Sequence, residues 1–592
     1  MAVLGQVCGY LLLLRSVWQQ KAPTLVCVTV TTTARLTLGD DRPGGTAPQT
    51  PPDRPQLSSP LRDRLCPPMP AGRVLGWVSA LGITLLAGIL RFWRITEPKK
   101  IYFDEVYYTR DSWGLLAKGY EVNTQGWGDK SGNGCVGSGY VVHPPLGKWF
   151  MAASERLFGY IGCTGKVHGD PYLGWRFASA FCGTLAVLVI VRVARRMFRS
   201  TLLGCFAGVV LGFDGLEFVQ SRIGILDIFL MTLIVLALAC LVLDRDQGRA
   251  RLADRVVGLG LGPDLVAASV AAGGRGSVGV GLARDLRFGP RVGFRPWRVL
   301  AGFFLGAAAG VKWSGLYTLV GFAVLAIAWD VGARRTAGAK APVLGALRRD
   351  LPAWFGCYVP LPVATFLGTW TGWFVTDGGY DRHLYGDGFV AMWRGWWAYQ
   401  HAILRFHEHL DAPHPAKSAP FSWLVLGRTV PYDYVGTSDG QKSQVGGAVC
   451  HAAGGCSQEI LAIGNPAVWW AGSACLVVMA GLWVCRRDWR AALVLVSFAT
   501  SFLPWELFPS RTMFLFYALP LLPFMVLGIT ATAGLVLGPR EVTDSRRLAG
   551  ALVVGVYLIT VVLLLAYFYP IMTDQLIPLS SWRARMWFPG WI

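Results

Sequence analysis

Charge is scarce in this chain. Of its 592 residues only 15% are Asp, Glu, Lys or Arg, where a soluble domain carries about 25%. That deficit argues against a water-soluble globular class. Acid is scarcer than base: 35 carboxylates face 55 Lys and Arg, a formal net charge of +20. A basic chain invites a nucleic-acid reading. Here, however, the Lys and Arg fall mainly between apolar runs, which suits the orientation rule of membrane proteins better. The 13 cysteines contain no CxxC pair, so a zinc ribbon is not expected. His401, His407, His409 and His414 cluster, but His407-Glu408-His409 lacks the i, i+4 spacing of a helical HExxH site, and no metal is expected there. No internal repeat is obvious, which weakens a transporter built from inverted repeats.

What the chain does have is apolar runs of about 20 residues, enough to cross a bilayer. Hydrophobic residues make up 53% of the chain, and many of its 25 Trp lie near run ends, as interfacial anchors do. Eleven candidate spans cover about 74–92, 173–193, 201–218, 223–243, 297–311, 314–331, 352–375, 466–485, 490–508, 512–537 and 549–570. Basic clusters follow the even-numbered spans: Arg192 to Arg199, Arg245 to Arg255, Arg334 to Arg349, Arg486 to Arg490 and Arg540 to Arg547. By the positive-inside rule the N-terminus is then cytoplasmic and the C-terminus outside. Loops 93–172 and 376–465 are expected outside.

The segments divide accordingly. Residues 1–70 differ from the rest: Gly5 to Leu14 is too short to span, and Asp40 to Pro70 reads as disordered. Met69 is a candidate start. Residues 71–375 and 466–592 form two membrane parts around the outer loop 376–465. Residues 244–296, rich in Gly and Arg, read as a flexible cytoplasmic insertion.

The chemistry centres on Ile101-Tyr102-Phe103-Asp104-Glu105-Val106-Tyr107-Tyr108. Two adjacent carboxylates there sit among large apolar groups just after the first span. Acids near lipid are costly and mark functional sites by default; a solvated interfacial loop is the plainer alternative. In the same loop, Val106 to Lys118 and Leu146 to Phe158 read as short amphipathic helices lying along the interface. Cys135 and Cys163, and likewise Cys450 and Cys456, are either disulfides or free thiols.

The motifs FDEVYY, HPPLGKWF, GWRFASAFCG, FDGLEFVQSRIGILDIFLM, AAGVKWSGLY, GNPAVWW and SRTMFLFYALPLLPF occur in this order. Together they resemble the protein O-mannosyltransferases, over about residues 74 to 570. The resemblance implies an all-α polytopic membrane protein with the GT-C glycosyltransferase fold. It implies transfer of mannose from polyprenyl-phosphate-mannose to Ser or Thr hydroxyls of exported proteins, at the outer face of a bacterial plasma membrane. The lipid donor is the only small molecule expected, without a further cofactor, and the Sec translocon is the implied route of the acceptor. The outer loop 376–465 is too short for the trefoil module of eukaryotic members and fits bacterial ones.

Residue by residue, Asp104 matches the first motif acid and is expected as general base, because a hydroxyl must lose its proton during attack. Glu105 is expected to orient the base or hold the acceptor, unless it pairs with a nearby Arg. A carrier phosphate leaves readily but needs cations; Arg91, Arg176, Arg222 and Lys312 are the candidates. A snorkelling Arg176 and an Arg222–Asp pair holding helices are the competing readings. His143, Lys148, Asp214, Asp227 and Trp313 are expected around the sugar and acceptor cavity, with His143 equally a structural loop histidine. One direct displacement inverts the anomeric carbon. A glycolipid acceptor is the nearest rival function, and a lipid-linked sugar transporter a more distant one.

Overall fold

Caps and prolines set the helix boundaries in the computed structural model, which describes residues 60–125, 127–128, 135–259, 280–539 and 543–592. The expected Gly5 to Leu14 run lies outside these. Asp170 accepts from Leu173 N at 3.1 Å and Pro171 takes the first turn, so the helix Pro171–Phe198 starts there. Asn465 and Pro466 repeat the device for Pro466–Arg486. The expected span 201–218 stops at Gly212. Asp214 turns its carboxylate to Glu217 N at 3.0 Å and opens a separate short helix, Gly215–Gln220. The expected span 352–375 is split into Leu351–Tyr358, Pro360–Thr369 and Thr371–Val375, because Pro360 lacks the N–H of a continuous helix.

Among the described residues nine helices are long and apolar enough to cross a membrane. Two shorter apolar helices, Thr201–Gly212 and Pro296–Ala309, occupy the other two expected positions. Asp227–Gly258 is central, buried along most of its apolar length and packed against Pro296–Ala309 and Pro171–Phe198. Asp544–Met572 instead exposes Leu552, Val556, Ile559 and Leu563. An apolar face without a protein partner suits lipid.

Two stretches expected to lack structure are partly ordered. Pro60–Leu65 is helical, and its Leu61 and Leu65 are buried with Leu252, Val256 and Ala333. Within 244–296, the helix Asp227–Gly258 runs on to Gly258 and Val280–Phe288 is helical. Charge made this region look like a linker, but its charges pair inward. Asp244 accepts from Arg295 and Arg298 at 2.7–3.1 Å, and Asp330 accepts from the same two arginines at 2.6–2.7 Å.

The amphipathic helices expected in loop 93–172 run over Glu105–Lys118 and Leu146–Phe158. Disulfides join Cys135 to Cys163 and Cys450 to Cys456. Loop 376–465 holds the helix Phe389–His409 and two strands, Val430–Thr437 and Cys456–Ala462, paired antiparallel with Val430 opposite Ala462. A third strand, Ile577–Pro578, joins the second from the C-terminal end. These strands were not anticipated from the residue pattern.

Candidate active site

The loop after the first span is pinned from within. Glu105 opens the helix Glu105–Lys118 and is 1% exposed. Its Oε1 accepts from Arg176 Nε and from Gly224 N, each at 2.9 Å, and its Oε2 accepts from Arg176 Nη2 at 3.1 Å. Arg176 also donates from Nη1 to the Ile95 and Pro98 carbonyls and from Nη2 to that of Lys100, at 2.7–3.2 Å. A guanidinium has five N–H donors, and here all five are engaged. Arg176 therefore ties the loop 95–105 to the helix Pro171–Phe198 and has no donor left for a phosphate.

The other arginines expected as phosphate ligands also bond within the frame, though not with every donor. Arg222 donates to the carbonyls of Leu90, Arg91, Trp93 and Arg94 at 2.7–3.2 Å. Those of Leu90, Arg91 and Trp93 close the C-terminus of Arg73–Phe92, where a cation also meets the negative helix end. Arg91 is fully buried and paired with Glu217. Lys148, also fully buried, bonds Glu121 Oε1 at 2.6 Å with Asp111 at 3.6 Å. Asp214 accepts from Asn465 N and Trp469 Nε1, both at 3.0 Å, and so fastens the helix Pro466–Arg486 to its neighbours. None of these residues lines the cavity described next.

That cavity holds about 110 Å³, and its walls include His143, Asp227, Lys312, Trp313, His407 and Arg511. Lys312 Nζ donates to Asp227 Oδ2 at 2.7 Å and lies 5.2 Å from the Tyr517 ring centre. Asp104 is half-buried and is not among the residues that line the cavity; Tyr108 is its hydrogen-bond partner, and Lys312 and Asp227 of the lining act on its charge. Burial pushes its carboxyl up to about 6; Lys312 draws it down, Asp227 raises it, and the Tyr108 bond lowers it. Asp104 is thus a carboxylate near neutrality with a cation within electrostatic reach.

His407 shows how the opposite wall is set. Its Nε2 meets the Val142 carbonyl at 2.8 Å and its Nδ1 meets Arg511 Nη2 at 3.0 Å. A carbonyl only accepts and a guanidinium only donates, so the ring is neutral with its proton on Nε2. Burial and the Arg511 charge, with Lys312 adding, accordingly hold its pKa down at about 4. His143 stacks on this ring at 5.3 Å and is also held well below the usual histidine range, first by burial. Arg511 keeps a buried Nε without a partner beside the cavity. Among the described residues no three His, Cys, Asp or Glu side chains could hold a metal ion.

Arg511, His407 and Tyr517 were not picked out as site residues from the sequence. The usable signal was Arg511 inside SRTMFLFYALP, a cation at the turn between two spans. A larger apolar groove of about 950 Å³ adjoins the cavity, sharing Trp313 and Leu404 with it. It runs between Pro296–Ala309, Gly315–Thr336, Leu351–Thr369 and Phe389–His409, and Phe366, Trp396 and Trp397 line it.

Residues 139–262 match the profile of dolichyl-phosphate-mannose-protein mannosyltransferase, and residues 392–591 that of the C-terminal four-span region of protein-O-mannosyltransferase. The polyprenol-phosphate-mannose–protein mannosyltransferase of Mycolicibacterium smegmatis is 35% identical over 540 residues, 88% of this chain and 94% of the relative. The chain belongs to this family. The Corynebacterium glutamicum mannosyltransferase is 33% identical over 83% of this chain and 88% of its own length. In fold, the chain is similar to the S. cerevisiae protein O-mannosyltransferase Pmt1-Pmt2 complex bound to the sugar donor. The TM-score is 0.61 at 14% identity, over 88% of this chain and 93% of the other. The protein is a polytopic helical membrane protein of the GT-C class. The profile stretches contain His143, Asp227, His407 and Arg511; Asp104 lies between the first span and the first stretch.

Proposed function

We propose that this chain transfers mannose from a polyprenyl-phosphate-mannose donor to Ser or Thr hydroxyls of exported proteins, with inversion. Asp104 takes the hydroxyl proton during attack on the anomeric carbon. Lys312 and Arg511 stabilise the charge that develops on the departing phosphate. This moves the phosphate contact away from Arg91, Arg176 and Arg222, whose donors serve the frame. Asp227 holds Lys312 in place, Glu105 with Arg176 fixes the loop that carries Asp104, and His143 and Trp313 border the space for the sugar. The observation that carries the reading is one junction. Lys312 and Arg511 line a polar cavity that adjoins a large apolar groove, and Lys312 is near enough to the Asp104 carboxyl to act on its charge.

The active site faces away from the cytosol in this reading, and acceptors arrive as they leave the Sec translocon. Two disulfides in the loops on the Asp104 side support that face, since such bonds persist outside the reducing cytosol. So do the Arg clusters on the opposite side. The test uses the purified full chain, labelled mannosyl carrier, a Ser/Thr-rich peptide and a glycolipid. Label should appear on the peptide and be lost in Asp104→Asn. Label on the glycolipid alone, or peptide labelling unchanged in the variant, defeats the reading.

A further inference from the structure

The end of the helix Arg73–Phe92 remote from Asp104 borders a second cavity, of about 560 Å³. Twenty helical residues rise about 30 Å, the hydrocarbon thickness of a bilayer. This cavity therefore lies at the opposite membrane surface from the active site. Arg73, Arg192, Arg195 and Arg196 face it, between the tryptophans Trp77 and Trp297.

Unlike Arg176, these arginines have donors to spare. Arg195 gives Nε to Thr201 Oγ1 at 3.0 Å and Nη2 to the Pro70 carbonyl at 3.2 Å. Arg192 gives Nη1 to the Gly76 carbonyl at 3.1 Å and rests 3.8 Å over the Trp77 ring. Arg196 pairs with Asp246 at 2.9 Å, but that carboxylate also serves Arg199 and Arg245. Arg73 forms no hydrogen bond or ion pair among the described residues. The helix start adds to the surplus: Gly72 offers no side-chain cap, and the first turn contains no acid. Its free N–H groups and positive end favour an anion. Gly76 is required for this packing, because a Cβ there would sit 2.6 Å from Arg195 Nε.

Positive charge at one face is ordinary for a membrane protein, but such charges usually spread through wet loops. Here they converge on a cavity whose remaining wall is apolar, with Val242 and Leu243 beside Trp297. A ligand that fits has a phosphate at one end and acyl chains at the other. We propose that this cavity binds the headgroup of an anionic phospholipid from the leaflet opposite the active site. Basic pockets between membrane helices recognise such headgroups. The site is separate from the donor groove and independent of the transfer reaction.

The test is native mass spectrometry of the full chain released from nanodiscs of equal phosphatidylglycerol and phosphatidylcholine. The chain should retain phosphatidylglycerol selectively, and raised salt should weaken that retention. The Arg73→Gln/Arg192→Gln variant should bind it roughly 30-fold more weakly, while Arg73→Lys should bind much as the parent does. Equal retention of the two lipids, retention indifferent to salt, or an unaffected double variant overturns the proposal. So does stronger capture of added polyprenyl phosphate than of phosphatidylglycerol, which would assign the cavity to the carrier. Displacement by inorganic phosphate alone would make it a plain anion site and also defeat the assignment. The salt series needs only the parent protein, so the proposal is decided even if the double variant does not fold.

Discussion

Replacing Arg176 with Ala separates its two candidate roles. Arg176 and Glu105 are both fully buried and share two hydrogen bonds, at 2.9 and 3.1 Å. Removing one partner of such a pair leaves an uncompensated charge, which costs about 3–5 kcal/mol. The carbonyls of Ile95, Pro98 and Lys100 lose their donor as well. Arg176→Ala should therefore lower stability by at least that amount in reversible unfolding of the detergent-solubilised chain. Glu105→Gln added to it removes the stranded charge, so the double variant should be more stable than the sum of the singles by about 1–3 kcal/mol. Donor affinity, measured where the variant is still folded, should stay close to that of the parent. A variant as stable as the parent that has lost donor affinity refutes the reasoning and returns Arg176 to the phosphate.

Three further substitutions address the cavity. Asp104→Asn should reduce single-turnover transfer about 10²–10⁴-fold and bind the donor at least as tightly as the parent, since the repelling charge is gone; a matching loss of affinity would contradict a base role. Lys312→Met should weaken donor binding and leave Asp227 without its 2.7 Å partner, with Lys312→Arg restoring much of both; unchanged donor binding in the Met variant argues against the phosphate contact. Arg511→Gln should weaken donor binding about 10-fold, the worth of one charge-assisted hydrogen bond. It should also free the His407 ring to titrate closer to the ordinary histidine range, readable by NMR of labelled imidazole; a pKa that stays near 4 would refute the Arg511 contribution.

Apolar run length made the membrane part of the fold legible in sequence. Thr201–Gly212 shows where that legibility ends. Its apolar pattern continues to residue 218, and only the turn of Asp214 back to Glu217 N stops the helix. The strand Cys456–Ala462 was hidden because every one of its residues is buried, so no alternation marks it. At the site, Asp104 and Lys312 stood out as charges next to spans. Charge alone could not separate Arg176 and Arg222 from Arg511, since the difference lies in where their N–H groups go. Eight residues of the single stretch 90–105 supply the carbonyls and carboxylate oxygens that engage the first two, and no spacing rule links that stretch to residues 176 and 222.

The Lys312–Asp227 contact also bears on how base strength is coupled to donor occupancy. In the free protein Lys312 lowers the Asp104 pKa while burial and Asp227 keep it at about 6. The unfolded carboxyl titrates near its ordinary value of about 3.9, so the folded state binds more protons between pH 4 and pH 6. Stability linked to this group is present below about pH 4 and is lost as pH rises through about 6. Activity has the opposite sign, because only the carboxylate accepts a proton. The acid limb of kcat/KM, which reports the free enzyme, should therefore fall near pH 6. A bound donor brings a phosphate anion that competes for Lys312 and repels the Asp104 carboxylate, so proton affinity at Asp104 rises when donor is present. The acid limb of kcat should then lie at higher pH than that of kcat/KM, and Asp104→Asn should abolish both. Coincident limbs would mean the phosphate sits beyond the reach of Asp104, and a limb that survives in Asp104→Asn would assign the titration to another group.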